Sequence, residues 1–214
     1  MKVALDAVIF DYGKVISLDQ DPDELAAMRN LSGIDGNCFR DLYWKHRDAY
    51  DAGLLSGSSY WRTIGQDAGI EFTPAQIEAL IHLDNRSWSR TNPLTLHWAR
   101  ELADSGLKLG ILSNMHKDMR DYIVRHCDWV NVFDCTVFSC DTGMVKPQEP
   151  IYRLALEGLG VPASRALFLD DKKPNIDAAE RAGLNGILVG DLPAAMREAS
   201  DRFGLPVVSL GPAA

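Results

Sequence analysis

The chain has no apolar run long enough to cross a membrane, and its N-terminal apolar stretch is broken by Asp6 and Asp11 with no cleavage site after it. A cytoplasmic protein with no membrane partner is the expectation. Positive charge is scarce: 22 Lys and Arg face 30 Asp and Glu, for a net charge of −8. That balance disfavours nonspecific binding to nucleic acid. It leaves room for a small anionic substrate, which needs only local positive charge. Cysteine is sparse and unpaired in pattern. Cys38, Cys127, Cys135 and Cys140 form no Cys-x-x-Cys spacing. His116 and His126 lie nearby in sequence, but the ligand spacing of a zinc site is missing, so the four read as reduced thiols.

Strand signals are absent from Asp21 to about Pro93. Helix signals fill that stretch. Asp21-Pro22-Asp23-Glu24 is an N-cap followed by proline and an acidic residue, and Leu25, Met28 and Leu31 recur at helical spacing up to Gly33. Cys38, Leu42, Lys45 and Ala49 predict a second helix, ended by Gly53. Ser58 to Ala68 predicts a third and Thr73-Pro74 opens a fourth, through Leu83. A helical block of about seventy residues is far longer than an ordinary crossover. It predicts an inserted domain over 18–91, with the remaining 1–17 and 92–214 forming one core. Tyr43, Trp44, His46, Arg47 and Tyr50 make the second helix dense in polar and aromatic groups. This reads either as one solvated face or as a recognition surface.

Outside the block, short apolar runs alternate with helical patterns. Ala7–Phe10, Lys108–Leu112, Thr136–Ser139, Ala166–Leu169 and Gly186–Val189 predict five strands. Helices are predicted from Asn92-Pro93, over Asp118–Arg125, from Pro150, from Asn175 and over Leu192–Phe203. The alternation predicts an α/β fold with a doubly wound parallel sheet. Open sheets of this kind bind ligands outside the carboxyl ends of their strands. Chemically distinct groups recur there: Asp11 after the first strand, Ser113-Asn114 after the second, and Asp170-Asp171 after the fourth. Lys146, stiffened by Pro147, follows the third. Asp11 alone reads equally as a turn residue, and Ser-Asn is a common turn pair. Adjacent carboxylates repel unless a cation is present, and a hard cation with oxygen ligands is the usual answer. A carboxylate nucleophile, a hydroxyl donor, a lysine and a metal site on one edge describe phosphoryl transfer to an aspartate.

The order of these motifs resembles the haloacid dehalogenase superfamily. Ile9-Phe10-Asp11, Leu112-Ser113-Asn114, Lys146-Pro147 and Phe168-Leu169-Asp170-Asp171 with Asn175 match its four motifs. The resemblance covers nearly the whole chain and implies a Rossmann-like core with a helical cap inserted after the first strand. It implies a hydrolase, a phosphatase with Asp11 as nucleophile and Ser113 and Lys146 as catalytic partners. Asp11, Gly13 and Asp171 would hold Mg²⁺, supported by Asp170 and Asn175. Gly13, Lys14 and Asn114 would meet the substrate from the core, and His46 and Arg47 from the cap. The implied substrate is a small phosphorylated metabolite such as a sugar phosphate. Phosphatases of this family usually place a second aspartate two residues after the nucleophile, as general acid and base; here that residue is Gly13. The stretch Asp11-Tyr12-Gly13-Lys14-Val15 resembles an Asp-x-Gly-x-Val branch that includes α-glucose-1-phosphatases. His46 is the sequence's candidate for the missing acid. A 2-haloacid dehalogenase is the alternative enzyme, against which the acidic pair argues. A weakly catalytic protein that binds phosphorylated ligands is the alternative outside catalysis.

Overall fold

The computed structural model describes residues 4–209. Five strands form a single sheet: β1 (Ala7–Phe10), β2 (Lys108–Ser113), β3 (Cys135–Phe138), β4 (Ala166–Asp170) and β5 (Asn185–Leu188). Their order is β3-β2-β1-β4-β5, and every neighbouring pair is parallel. β1 is therefore the central strand, and all four of its residues are fully buried. Successive side chains leave opposite faces of a strand. Accordingly Val8, Phe10, Leu167 and Leu169 enter one apolar core, while Ala7, Ile9, Ala166 and Phe168 enter the other. The sheet thus needs helices on both faces, which is why its strands read as unbroken apolar runs rather than alternating ones. The strand order reverses beside β1, between β2 on one side and β4 on the other, which makes its carboxyl end the switch point of the sheet.

Between β1 and β2 lie α1 (Pro22–Ser32), α2 (Gly36–Lys45), α3 (Arg47–Asp51), α4 (Gly57–Ala68), α5 (Pro74–Trp88) and α6 (Pro93–Asp104). The helix starts predicted at Asp21, Thr73 and Asn92 are formed as side-chain caps, and Thr73 with Gln76 makes a full capping box. The predicted second helix, however, is two helices. The chain breaks at His46, where φ −105° and ψ 3° leave the helical region. No proline or glycine marks that break. Helices α1 to α5 surround an apolar core of their own, including Met28, Phe39, Trp61, Ile64 and Leu80. The two strands of chain that connect this bundle to the sheet meet as an antiparallel bridge between Ser17 and Thr91.

The remaining helices are α7 (Lys117–His126), α8 (Ser139–Thr142), α9 (Glu149–Leu159), α10 (Lys173–Arg181) and α11 (Leu192–Phe203). The third strand ends one residue before its predicted limit, because Ser139 already opens the short α8. The fifth is shifted one residue toward the N-terminus from its predicted span. All four cysteines are free thiols.

Candidate active site

Asp11 leaves the sheet at the end of β1, tied to the neighbouring strand by its N–H donating to the Leu169 carbonyl at 2.8 Å. The chain then makes a wide turn over Tyr12–Ile16, closed by Ser17 N donating to the Tyr12 carbonyl at 2.7 Å. Within it Tyr12 N donates to Asp11 Oδ1 at 2.6 Å, and Lys14 adopts the left-handed conformation with φ 60°. Lys146 comes in from the loop after α8. Its Nζ lies 2.8 Å from Asp11 Oδ1 and 2.7 Å from Asp170 Oδ2. Asp170 is buried and saturated: Lys172 N donates to Oδ1 at 2.7 Å, and Asn175 Nδ2 reaches both oxygens at 3.0 Å. Asp171, next in the chain, is half-buried and makes no such set of bonds.

Carboxylate oxygens of Asp11, Asp170 and Asp171 lie within 4.8 Å of one another. Three carboxylates here face one buried ammonium. Burial pushes the Asp11 carboxyl up to about 7; Lys146 pulls it down, and Asp170 and Asp171 push it further up. Burial and Asp170 also raise Asp171. Burial alone would lower the Lys146 ammonium, but Asp11 and Asp170 outweigh it and raise its pKa. A second, divalent cation fits this donor set: the cluster is all oxygen, hard in character and short of positive charge.

Of the other residues named from the sequence, Ser113, Asn114, Lys14 and Arg47 line the cleft and His46 does not. Ser113 is buried at the end of β2 and lines the same cleft as Asp11, Lys146 and Asp171. Asn114 also borders it, but its amide is taken up by the backbone of Lys146, accepting from Lys146 N at 2.8 Å and donating to Lys146 O at 2.9 Å. That reciprocal pair positions the lysine. Lys14 sits on the rim, half exposed and paired with Asp19 at 2.7 Å. Arg47 reaches the cleft from α3, its guanidinium held by Asp51, Asp84 and Tyr43. His46 is the exception. It lines none of the cleft and pairs with Asp67 Oδ2 at 2.7 Å, on the partly exposed surface of the bundle.

The cleft encloses about 350 Å³ and has walls that sequence reading anticipated only in part. Trp44, one of the aromatics of the predicted second helix, joins the unanticipated Trp88, Met115 and Met119 as apolar lining. Asp51, the last residue of α3, supplies an acidic group. Asp51 was legible only as a polar residue before a helix-ending glycine, and Trp88 as one aromatic at a helix end. No periodic signal points either of them at Asp11.

A family model described as haloacid dehalogenase-like hydrolase matches residues 5–183. The chain belongs to that family. The chain is 26% identical over 226 residues to the bifunctional epoxide hydrolase 2 of Sus scrofa, covering 96% of this chain and 40% of that one. The first relatives matched are the same enzyme from rat and mouse, of which it spans only 19% and 15%. It is 23% identical to the sesquiterpene phosphatase astK of Aspergillus oryzae, covering 95% of this chain and all 100% of that protein. Its fold superposes on a HAD family enzyme from Bacteroides thetaiotaomicron with a TM-score of 0.73 at 16% identity, over 88% and 96% of the two chains. It also superposes on the L-2-haloacid dehalogenase of Xanthobacter autotrophicus with a TM-score of 0.66 at 20% identity, over 94% and 84%. Among the described residues, no helix is long and apolar enough to cross a membrane.

Proposed function

We propose that this hydrolase is a Mg²⁺-dependent phosphatase acting on a small phosphorylated metabolite through an aspartyl-phosphate intermediate on Asp11. The observation that carries the reading is the cluster of Asp11, Asp170 and Asp171 around Lys146 at the switch point of the sheet. In it, Asp11 Oδ attacks phosphorus and the ester oxygen departs. Lys146 and Ser113 sit on the side where phosphoryl oxygens would lie, and each can donate to them. Asn114 holds the Lys146 backbone, and Asp170 holds its ammonium beside the nucleophile. Asp171, Asp11 and the Gly13 carbonyl would hold Mg²⁺, with Asp170 and Asn175 as the supporting shell. Bound there, the ion supplies charge neutralisation for the phosphoryl oxygens and lets Asp11 stay ionised beside Asp171. The bundle over 18–91 would serve as a cap that closes the cleft against water.

The phosphatase name of the full-length Aspergillus relative supports this choice. Haloacid dehalogenation, in which the aspartate attacks carbon, has no use for a dense carboxylate cluster needing a divalent cation. The test is a panel of sugar 1-phosphates, sugar 6-phosphates, acyl phosphates and 2-haloacids, with and without Mg²⁺, on wild type and Asp11→Asn. Mg²⁺-dependent phosphate release by wild type alone is the expected result. Turnover by Asp11→Asn at the wild-type rate, or full activity after exhaustive chelation, refutes the reading.

A further inference from the structure

Phosphoryl transfer to Asp11 leaves an oxygen that gains negative charge as it departs. Position 13 has no side chain to protonate it, and His46 lies outside the cleft. Several other cleft groups are engaged or exposed. Lys146 bridges two carboxylates. Lys14 is tied to Asp19 on the rim, and that Asp19 side chain is 78% exposed. The Tyr12 hydroxyl donates to the Trp88 carbonyl at 2.7 Å. Asp48 is exposed, and Arg47 does not release a proton at ordinary pH.

Asp51 is different. It lines the cleft from α3 with only 12% of its side chain exposed. Arg47 Nε donates to its Oδ1 at 2.8 Å, which leaves Oδ2 to carry a proton. Its backbone carbonyl accepts from Ser139 Oγ, where α8 begins just past β3, and Ser139 Oγ in turn accepts from Met115 N, just past β2, at 2.9 Å. Gly53, two residues on, turns with φ 73° so close to Cys140 that a β-carbon would stand 2.6 Å from the Cys140 carbonyl oxygen. Asp51 therefore belongs to the helical bundle in sequence but is fastened to the chain just past β2 and β3, on the sheet edge where β1 presents the nucleophile. The charged groups that act on it are Arg47 on its own helix, Asp84 on α5 and Lys172 after β4. Burial pushes its carboxyl up to about 6, against the pull of Arg47. Acid and base forms are then both populated near neutral pH, as a group that donates and later accepts a proton requires.

We propose that Asp51 is the general acid and base of this site, standing in for the aspartate absent at position 13. The inference rests on the phosphatase reading. As Asp11 Oδ bonds to phosphorus and the P–O bond to the leaving group breaks, the proton on Asp51 passes to the departing oxygen and gives a free alcohol. Water then attacks the phosphorus of the aspartyl phosphate and gives its proton to Asp51. The P–O bond to Asp11 breaks, phosphate leaves, and both carboxyls return to their starting states.

The experiment measures kcat/KM for phosphate monoesters graded from aryl to simple alkyl leaving groups, between pH 5 and 8, on wild type and Asp51→Asn. Asparagine keeps the size of the side chain and an oxygen for Arg47. Alkyl phosphates should lose about a hundred- to ten-thousandfold in the variant, and the best aryl phosphates less than about tenfold. In wild type, the ratio of alkyl to aryl kcat/KM should fall as pH rises above about 6, because only protonated Asp51 helps the poor leaving group. Ionisation of Asp11 and of the metal site is common to both substrates and cancels in that ratio, and the dianion fraction of each ester, from its own titration, is divided out before the ratio is taken. The wild-type profile also stands without any variant, should Asp51→Asn fail to fold. A ratio flat with pH, or equal losses for both substrates in a folded variant, overturns the inference and leaves the phosphatase reading intact. Absence of wild-type turnover on every ester overturns both.

Discussion

The indole of Trp88 lies over Gly13, with Cζ3 4.0 Å from the point that a β-carbon on residue 13 would occupy. The Gly13 backbone, at φ −60° and ψ 121°, is one any residue adopts, so nothing in the turn demands glycine. Gly13→Asp should therefore fold, with its carboxylate laid along the indole. It should also restore part of the alkyl phosphate activity lost in Asp51→Asn, read as kcat/KM of the double variant against the single. A double variant no better than Asp51→Asn would mean that Trp88 keeps the new carboxylate from the leaving oxygen.

Metal binding can be read without turnover. A ligand that binds only the folded state stabilises it by about 2.7 kcal/mol at a hundred times its Kd. Mg²⁺ should raise the melting temperature of wild type, and Asp171→Ala should lose most of that rise. Without metal, the same variant should melt no lower than wild type at pH 8, because burial and Asp170 already disfavour the Asp171 anion. Equal Mg²⁺ shifts in both proteins would remove Asp171 from the metal site.

The contact at Gly53 should be costly to fill. Gly53→Ala places a β-carbon against a backbone carbonyl at a φ that L residues resist. A loss of about 1–3 kcal/mol is expected, read from urea unfolding. Gly69→Ala, also at positive φ but with nothing within 4 Å of the new carbon, is the control and should cost less.

His116 should mark the acid side of stability. It is fully buried, and its Nδ1 accepts from Met119 N at 3.3 Å, which puts the ring proton on Nε2, facing Asp84 Oδ2 at 3.5 Å. Burial, reinforced by Arg47, drives its pKa well below the usual value. The unfolded chain thus takes up a proton that the folded chain refuses. Stability from this residue is complete above the unfolded pKa of about 6.5 and is lost as pH falls below it, at up to about 1.4 kcal/mol per pH unit. His116→Asn, which can still accept from Met119 N, should flatten that slope relative to wild type between pH 6.5 and 5. Parallel unfolding curves over that range would show that His116 protonates equally in both states.

The core half of the site was legible because strand ends are marked in the sequence itself. An uncharged apolar run followed by Asp11, by Ser113 or by Asp170-Asp171 says where the sheet stops and what chemistry stands there. Parallel pairing then brings the three ends together with no further information. The helix starts at Asp21, Thr73 and Asn92 were legible for the same local reason, since each cap bonds within three residues. The bundle half was not. His46 and Asp51 are five positions apart, equally polar and equally unmarked. The break after Lys45 carries no glycine or proline, while Tyr43 before it and Tyr50 after it both pack on Tyr60 of another helix. The partners of Arg47 include Asp84, thirty-seven residues on, and the seat of Asp51 on Ser139 spans eighty-eight. Such contacts are a property of tertiary packing, and local pattern does not encode them.

The bridge between Ser17 and Thr91 fixes where the bundle departs from the sheet and where it returns. Leu18 N donates to the Arg90 carbonyl at 2.8 Å, so the two ends of the inserted stretch lie one hydrogen bond apart. For a segment whose ends already meet, loop length enters the closure entropy only logarithmically. The sheet is then nearly indifferent to how many residues are threaded between those two points. A different bundle, a shorter hairpin or a tight turn could be grafted there while β1 and β2 keep their register, making residues 17 and 91 the natural seam for recombining this chemistry with new specificities.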